Sequence, residues 1–266
     1  MTRHLWGDPQ AGEVADWIYA STEMIHQLLF GLKPGAAFRH SDSFRTVFAA
    51  DIVYYVLSGV LALANPESGE VQRILPGEGV FFRRDTWHHA FNMSSEPLRV
   101  LEYFAPPPSQ GTSGSYARTQ PLLEAAAYQR EDAWTRWPME RASVEANSTL
   151  RVIREQDYLW HLTGDDKPGL VGLLASTEHL TVGKLILPPG SQSAVERHAG
   201  DECLYVLEGT VNVHLPEHDA PSWFELSPQD GFYLPADAAH RYHNMTDRPA
   251  SLLFGVAPEY QSSGAE

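Results

Sequence analysis

The sequence predicts an all-β chain of two similar barrels joined by a partly helical connector, and three observations carry that expectation. The 266 residues contain an internal duplication. Short alternating or apolar runs are broken by Pro-Gly, Ser-Gly, Glu-Gly and Asp-Gly pairs, the punctuation of an antiparallel sandwich or barrel. Finally, 20 Gly and 19 Pro accompany 43% hydrophobic residues: many turns, yet enough apolar side chain for a core. That balance excludes wholesale disorder and disfavours a helical bundle.

The duplication keeps its blocks in order. Ser21-Thr22-Glu23 through Pro34-Gly35 returns as Ser176-Thr177-Glu178 through Pro189-Gly190, at an offset of 155 residues. The run from Asp51 to Gly59 returns from Asp201 to Gly209, at an offset of 150. Gly77-Glu78-Gly79 with His88 and Asn92 returns as Gln229-Asp230-Gly231 with His240 and Asn244, at 152. Each drift marks an insertion between matched blocks, and one repeat is one barrel.

Residues 1–104 therefore form the first barrel. Within it, residues 46–64 are apolar enough to resemble a membrane span. Asp51, Ser58 and Gly59, with the Val and Tyr content, favour two strands around a Gly turn instead. Residues 105–160 form the connector: a Pro/Ser/Gly-rich linker, a short helix expected over residues 121–128, and a charged stretch whose Trp134 and Trp137 are expected to cover the junction between barrels. Residues 161–266 form the second barrel.

A net charge of −15 leaves no basic surface for a phosphate backbone or an anionic membrane, so neither nucleic acid nor membrane is an expected partner. The single cysteine, Cys203, excludes an internal disulfide and any thiolate-rich metal site within one chain. The N-terminal stretch lacks the apolar run of a signal peptide. The expectation is a soluble, cytoplasmic protein.

The second repeat resembles the two conserved motifs of the cupin superfamily. The first motif is Gly-x5-His-x-His-x3/4-Glu-x6-Gly; this chain has Gly190, Glu196, His198, Glu202 and Gly209 at those spacings, with Glu in place of the first His. The second is Gly-x5-Pro-x-Gly-x2-His-x3-Asn; here Gln229, Pro235, Asp237, His240 and Asn244 stand at those positions, with both glycines changed. The resemblance implies two double-stranded β-helix, or jelly-roll, barrels: a bicupin. It also implies one divalent transition metal, Fe, Mn, Ni or Zn, held by His198, Glu202, His240 and Glu196.

The chemistry of the residues points the same way. Residues 196, 198 and 202 share parity, which on an extended strand directs all three to one face, and His240 is expected from a later strand beginning near Gly231. Imidazole with carboxylate suits a borderline divalent ion. His198, Glu202 and His240 alone make a two-histidine, one-carboxylate set, an arrangement associated with non-haem Fe(II) oxygenases. Glu196 is either a fourth ligand or a general base beside an open position. Cys203 has the opposite parity and is expected to pack as a small apolar residue, and His243 is expected to face away from the site.

The first repeat lacks the set. Thr46, Phe48 and Ile52 occupy the ligand positions, and only His88 and Asn92 remain. It is expected to be a structural or substrate-shaping half, with a re-registered site of His40, His88 and His89 as the alternative. Its aromatic residues read either as core or as a pocket. Arg39, Arg45, Arg83 and Arg84 either hold a carboxylate substrate or pair with acids.

The leading expectation is a mononuclear non-haem iron dioxygenase-type enzyme acting on a small organic molecule. One alternative is a redox-neutral hydrolase, isomerase or lyase; a Glu-x-His opening also occurs in the second cupin of ureidoglycine aminohydrolases, which carry His at the Glu202 position and Gln at the His240 position. The other is a non-catalytic binding or storage bicupin. A homodimer through paired edge strands is expected.

Overall fold

The computed structural model describes residues 1–44, 47–106 and 123–260. The first repeat contains β1 (Thr2–Asp8), β2 (Gly12–Ser21), β3 (His26–Leu32), β4 (Ala37–Phe38), β5 (Asp51–Ser58), β6 (Leu61–Asn65), β7 (Glu70–Ile74), β8 (Gly79–Phe82), β9 (His89–Asn92) and β10 (Leu98–Ala105). The connector supplies β11 (Arg151–Ile153). The larger sheet runs β1-β2-β3-β10-β5-β8-β11 and the smaller β4-β9-β6-β7. Both are antiparallel throughout the pairings seen.

Residues 47–64, the described part of the apolar run, behave as the turn chemistry requires. The β-branched and aromatic run of β5 ends at Gly59, whose φ is +76°, and β6 returns. A Cβ there would sit 2.8 Å from Leu98 Cα, so only glycine fits the turn. Ile52, Tyr54 and Val56 of β5, Leu61 and Leu63 of β6, and Val100 and Phe104 of β10 share one core with the period of two that a pleated strand imposes.

The second repeat contains β12 (Leu159–Thr163), β13 (Gly169–Ser176), β14 (Thr181–Leu187), β15 (Asp201–Glu208), β16 (Val211–His214), β17 (Trp223–Leu226), β18 (Gly231–Leu234), β19 (Arg241–His243) and β20 (Ala250–Ala257). Its sheets run β12-β13-β14-β20-β15-β18 and β17-β16-β19. Val171, Leu185, Leu204, Val206, Val213, Leu252 and Phe254 fill the space between them. The chain divides into two compact units, Met1–Ile18 with Leu28–Arg154, and Tyr19–Gln27 with Glu155–Glu266. Among the described residues no helix is long and apolar enough to cross a membrane.

Two polar residues of the repeat have structural roles that recur in both halves. Asn92 Nδ2 donates to the carbonyls of Leu32, Lys33 and Glu96; Asn244 Nδ2 donates to those of Leu187, Pro188 and Arg248. Each thus ties down the Pro-Gly turn after the third strand. Asp51 accepts from Arg84 N–H as Asp201 accepts from Ala236 N–H, clamping the loop that precedes the histidine.

The connector departs from expectation. Residues 121 and 122 lie outside the described residues, and 123–128 are not helical; the helix is α1 (Arg141–Ala146). An isolated eight-residue helix is marginal in water, and Tyr128 is instead drawn onto the smaller sheet, where it meets His89 Nδ1 at 2.9 Å and the edge of Phe91. Trp134 and Trp137 are 60% and 49% exposed. Glu70 holds the far end of the connector by accepting from Thr149 N–H and Oγ1–H and from Leu150 N–H.

Candidate metal centre

Glu196, His198, Glu202 and His240 converge in the second repeat, although not by the route that parity suggests. Only Glu202 lies in a strand, β15. Glu196 and His198 sit in the preceding loop, and His240 lies just before β19 rather than on the strand starting at Gly231. The two loops are laced together directly: Glu196 N–H donates to the His240 carbonyl at 2.8 Å, and His240 N–H donates back at 3.0 Å. Asp237 N–H donates to the His198 carbonyl at 2.8 Å. Gly200 then turns the chain into β15, passing so close to β20 that a Cβ would lie 2.3 Å from the Ala257 carbonyl oxygen.

Each histidine is held with one nitrogen outward and one inward. His198 Nδ1 lies 2.5 Å from the Tyr260 carbonyl, and His240 Nδ1 lies 2.9 Å from the Ala238 carbonyl. A carbonyl only accepts, so both Nδ1 atoms carry the proton and both Nε2 lone pairs face the centre. Glu202 Oε2 lies 3.0 Å from His240 Nε2 and 3.4 Å from His198 Nε2. Its other oxygen accepts from Tyr242 O–H at 2.6 Å. Glu196 is arranged alike: Oε1 accepts from Thr163 O–H at 2.6 Å, and Oε2 lies 3.9 Å from His198 Nε2.

This arrangement fits a cation. Glu202 Oε2 and His240 Nε2 are both fully enclosed and neither has a hydrogen-bond partner. Enclosed lone pairs left facing one another are costly unless a positive charge sits between them. Ligand atoms of Glu196, His198 and His240 lie within 4.8 Å of one another. The chain thus holds a His/Glu group of the kind that takes a divalent ion. Burial pushes the Glu202 carboxyl up, but the facing His240 and His198 and the Tyr242 hydrogen bond outweigh it and hold it below the ordinary range. Burial likewise lowers His240, and the Glu202 charge outweighs that and raises it.

Beside the centre lies a cleft of 640 Å³ lined by His161, Leu173, Thr177, Glu178, Thr181 and Tyr260 among others. Tyr260 stacks on His198 with ring centroids 4.7 Å apart, so the cleft wall is also a wall of the centre. His161 and Thr163 are alternate residues of β12, one lining the cleft and the other bonding Glu196. Sequence reasoning missed Thr163, Tyr242, Tyr260 and His161. Tyr242 had a signal, its parity with His240; the others act from segments remote in sequence.

The remaining candidates separate. His243 packs against His214 and Trp223, away from the centre, and Cys203 is buried. In the first repeat, His88 keeps the equivalent tether, Nδ1 to the Thr86 carbonyl, but its Nε2 meets Tyr54 O–H at 3.2 Å among Phe48 and Phe82. Burial lowers it to about 4, so it is neutral. His40 and His89 contact one another on the outer face with Trp87 and Tyr128. His88, just before β9, meets Tyr54, Phe48 and Phe82, whereas His89 meets His40 and Tyr128, so His40, His88 and His89 do not form one site. Of the arginines, Arg83 pairs with Asp51 and Arg84 with Asp85, while Arg39 lies over Phe91; Arg45 lies outside the described residues.

Comparison with known proteins agrees with this architecture. The cupin domain model matches residues 49–104 and 183–256, one stretch in each repeat. A curated relative, polyketide synthase CurC of Streptomyces cyaneus, is 31% identical over 78 residues, which are 29% of this chain and 48% of that protein. The match thus spans about half the length of that relative. Among solved structures, a putative glyoxylate induced protein from Pseudomonas aeruginosa aligns with a TM-score of 0.66 at 17% identity, covering 98% of this chain and 87% of that one. A mutant oxalate decarboxylase from Bacillus subtilis aligns at 0.65 and 15%, covering 98% and 76%. AerE from Microcystis aeruginosa aligns at 0.61 and 10%, covering 96% of each. Duplicated barrels, matched motif regions and these folds lead to one conclusion: the chain belongs to the cupin superfamily and is a bicupin.

Proposed function

We propose that the second barrel holds one divalent transition metal through His198, Glu202, His240 and Glu196, and that the protein is a mononuclear non-haem iron enzyme of the dioxygenase type acting on a small organic acid or phenol. The observation that carries this reading is the pair of inward Nε2 lone pairs facing the enclosed, unpartnered Glu202 Oε2. When bound, such an ion supplies Lewis acidity and, as iron, redox chemistry with dioxygen. The chain's own residues do the rest. Tyr242 and Thr163 each hold one carboxylate oxygen so that the other faces the centre. The Tyr260 ring shields His198 and continues into the cleft, where a substrate of modest size has room.

A second reading rests on Glu196, the least enclosed of the four, its side chain 22% exposed against 2% for Glu202. Beside an ion held by His198, Glu202 and His240, Glu196 Oε2 would be the proton acceptor that a redox-neutral hydrolase, isomerase or lyase needs. The solved neighbour named as an oxalate decarboxylase acts on a small carboxylic acid, in keeping with either chemistry.

The test is metal analysis of the purified protein beside the His198→Ala/His240→Ala variant, followed by turnover with a panel of small carboxylic acids and phenols. One equivalent of iron in the wild type, none in the variant, and substrate-dependent oxygen uptake are expected. Anaerobic turnover with Mn, Zn or Ni would replace the oxidative reading with the redox-neutral one. Full metal content in the variant would defeat the site itself.

A further inference from the structure

The first barrel has lost the metal motif, but its interior is not purely apolar. Asp16 on β2 and Glu102 on β10 belong to the inward rows of their strands. Val14 flanks Asp16 and Val100 and Phe104 flank Glu102, and all three are core residues. Their counterparts in the second repeat are Val171 and Phe254, both members of its apolar core. Conversely, Phe48 and Ile52 stand where the second repeat has His198 and Glu202. The polar wall of one barrel is thus the apolar wall of the other, and the two acids occupy the side that the motif does not use.

Among the described residues these acids have no countercharge. Asp16 Oδ2 accepts from Trp6 Nε1–H, while Asp16 Oδ1 is enclosed and has no partner. No basic side chain among the described residues pairs with either acid. Burial lifts Asp16 to about 7, and burial and the neighbouring Asp16 carry Glu102 well above its ordinary range. Tyr54, directly opposite Glu102 in the strand register, presents its phenol nearby. Two uncompensated carboxyl groups inside a barrel are costly to ionise unless a cation joins them.

Asp16, Glu102 and Phe30 keep 8%, 6% and 6% of their surface, whereas Leu61 and Leu63 in the same core keep 0%. The aromatic neighbours of the two acids are Trp6, which meets Phe38 edge-on at 4.7 Å, and Phe30, which meets Tyr54 at 5.1 Å. Aromatic faces and carboxylates together favour an organic cation with an apolar body over a hydrated metal ion.

We infer that the interior of the first barrel is a binding site for a small organic ammonium ion, its nitrogen held by Asp16 and Glu102 and its carbon chain lying against Phe30, Phe38 and Tyr54. This site is independent of the metal centre and of the reaction proposed there.

The experiment is calorimetric titration of the full chain with n-butylammonium chloride, with butan-1-ol as the neutral analogue of the same shape. One saturable equivalent of butylammonium is expected, with butanol at least tenfold weaker. Asp16→Asn/Glu102→Gln should weaken butylammonium at least tenfold while leaving the metal content of the second barrel unchanged. If that double variant fails to fold, Glu102→Gln alone keeps the side-chain shape and removes one charge; the wild-type contrast of amine with alcohol needs no variant. Equal binding of amine and alcohol, no saturable binding, or undiminished amine binding by a folded variant would overturn the assignment.

Discussion

At the scale of residues, the centre depends on hydrogen bonds that choose which atom faces inward. Tyr242 is the clearest case: it is buried, and its hydroxyl occupies Glu202 Oε1, leaving Oε2 as the one oxygen directed at His240. Without that donor the carboxylate is free to rotate, and the buried Oε1 loses the hydrogen bond from Tyr242. Tyr242→Phe, which keeps the ring, is expected to lower metal affinity about 10- to 100-fold, the usual effect of removing a partner that orients a metal ligand. Competition against a chelator of known affinity measures this. An unchanged affinity would mean that packing alone orients Glu202. Thr163 acts likewise on Glu196, and its hydroxyl also accepts from Ala194 N–H, which fixes the loop carrying Glu196.

At the scale of elements, the loops around the centre explain how the second motif survives without its glycines. Gln229 and Asp237, which replace them, have φ of +76° and +64°. In the first repeat Gly77 and Asp85, the corresponding residues, have φ of +87° and +66°. The backbone has kept the left-handed conformation while the side chain changed, and for a non-glycine residue this costs roughly 1–2 kcal/mol. Asp tolerates that region better than Gln because its short side chain bonds locally. Gln229→Gly is therefore expected to stabilise the protein by about 0.5–1 kcal/mol, the relieved strain less the extra freedom glycine gains when unfolded. Chemical denaturation would show it as a higher midpoint at unchanged slope. A lower midpoint would mean that the Gln229 side chain contributes more than its backbone costs.

At the scale of the whole molecule, the two repeats share one frame and differ in what they bury. The larger sheet of each carries matching strands, with β5–β10 and β15–β20 as corresponding pairs. Metal is expected to act on only one of them. Ligand bound to the native state alone stabilises by RT ln(1 + [L]/Kd), about 2.7 kcal/mol at a hundredfold excess over Kd. Loading with Fe(II) or Mn(II) should accordingly raise the unfolding temperature of the unit containing Glu155–Glu266, as followed by hydrogen exchange in β15 and β20. The strands β5 and β10 should be unaffected, and His198→Ala should abolish the shift. Equal protection of both halves would place a second metal in the first barrel.

Much of this was readable from the chain alone. The duplication, the turn punctuation and the strand runs determined two antiparallel barrels, because period-two burial and glycine turns are local properties of sequence. The spacing of Glu196, His198, Glu202 and His240 picked out four residues that the structure brings together, but for an incomplete reason: parity describes an extended strand, and two of the three lie in a loop. The helix expected near residue 125 failed because local propensity is weak beside the pull of Tyr128 onto a sheet. Only the tertiary structure could bring Thr163, Tyr242 and Tyr260 to Glu196, Glu202 and His198, since each arrives from a different strand or loop and no spacing rule links them. It alone also placed Asp16 and Glu102 inside the first barrel, 86 residues apart in sequence. Which face of a strand is interior is determined by the sheet that closes over it, not by the strand itself.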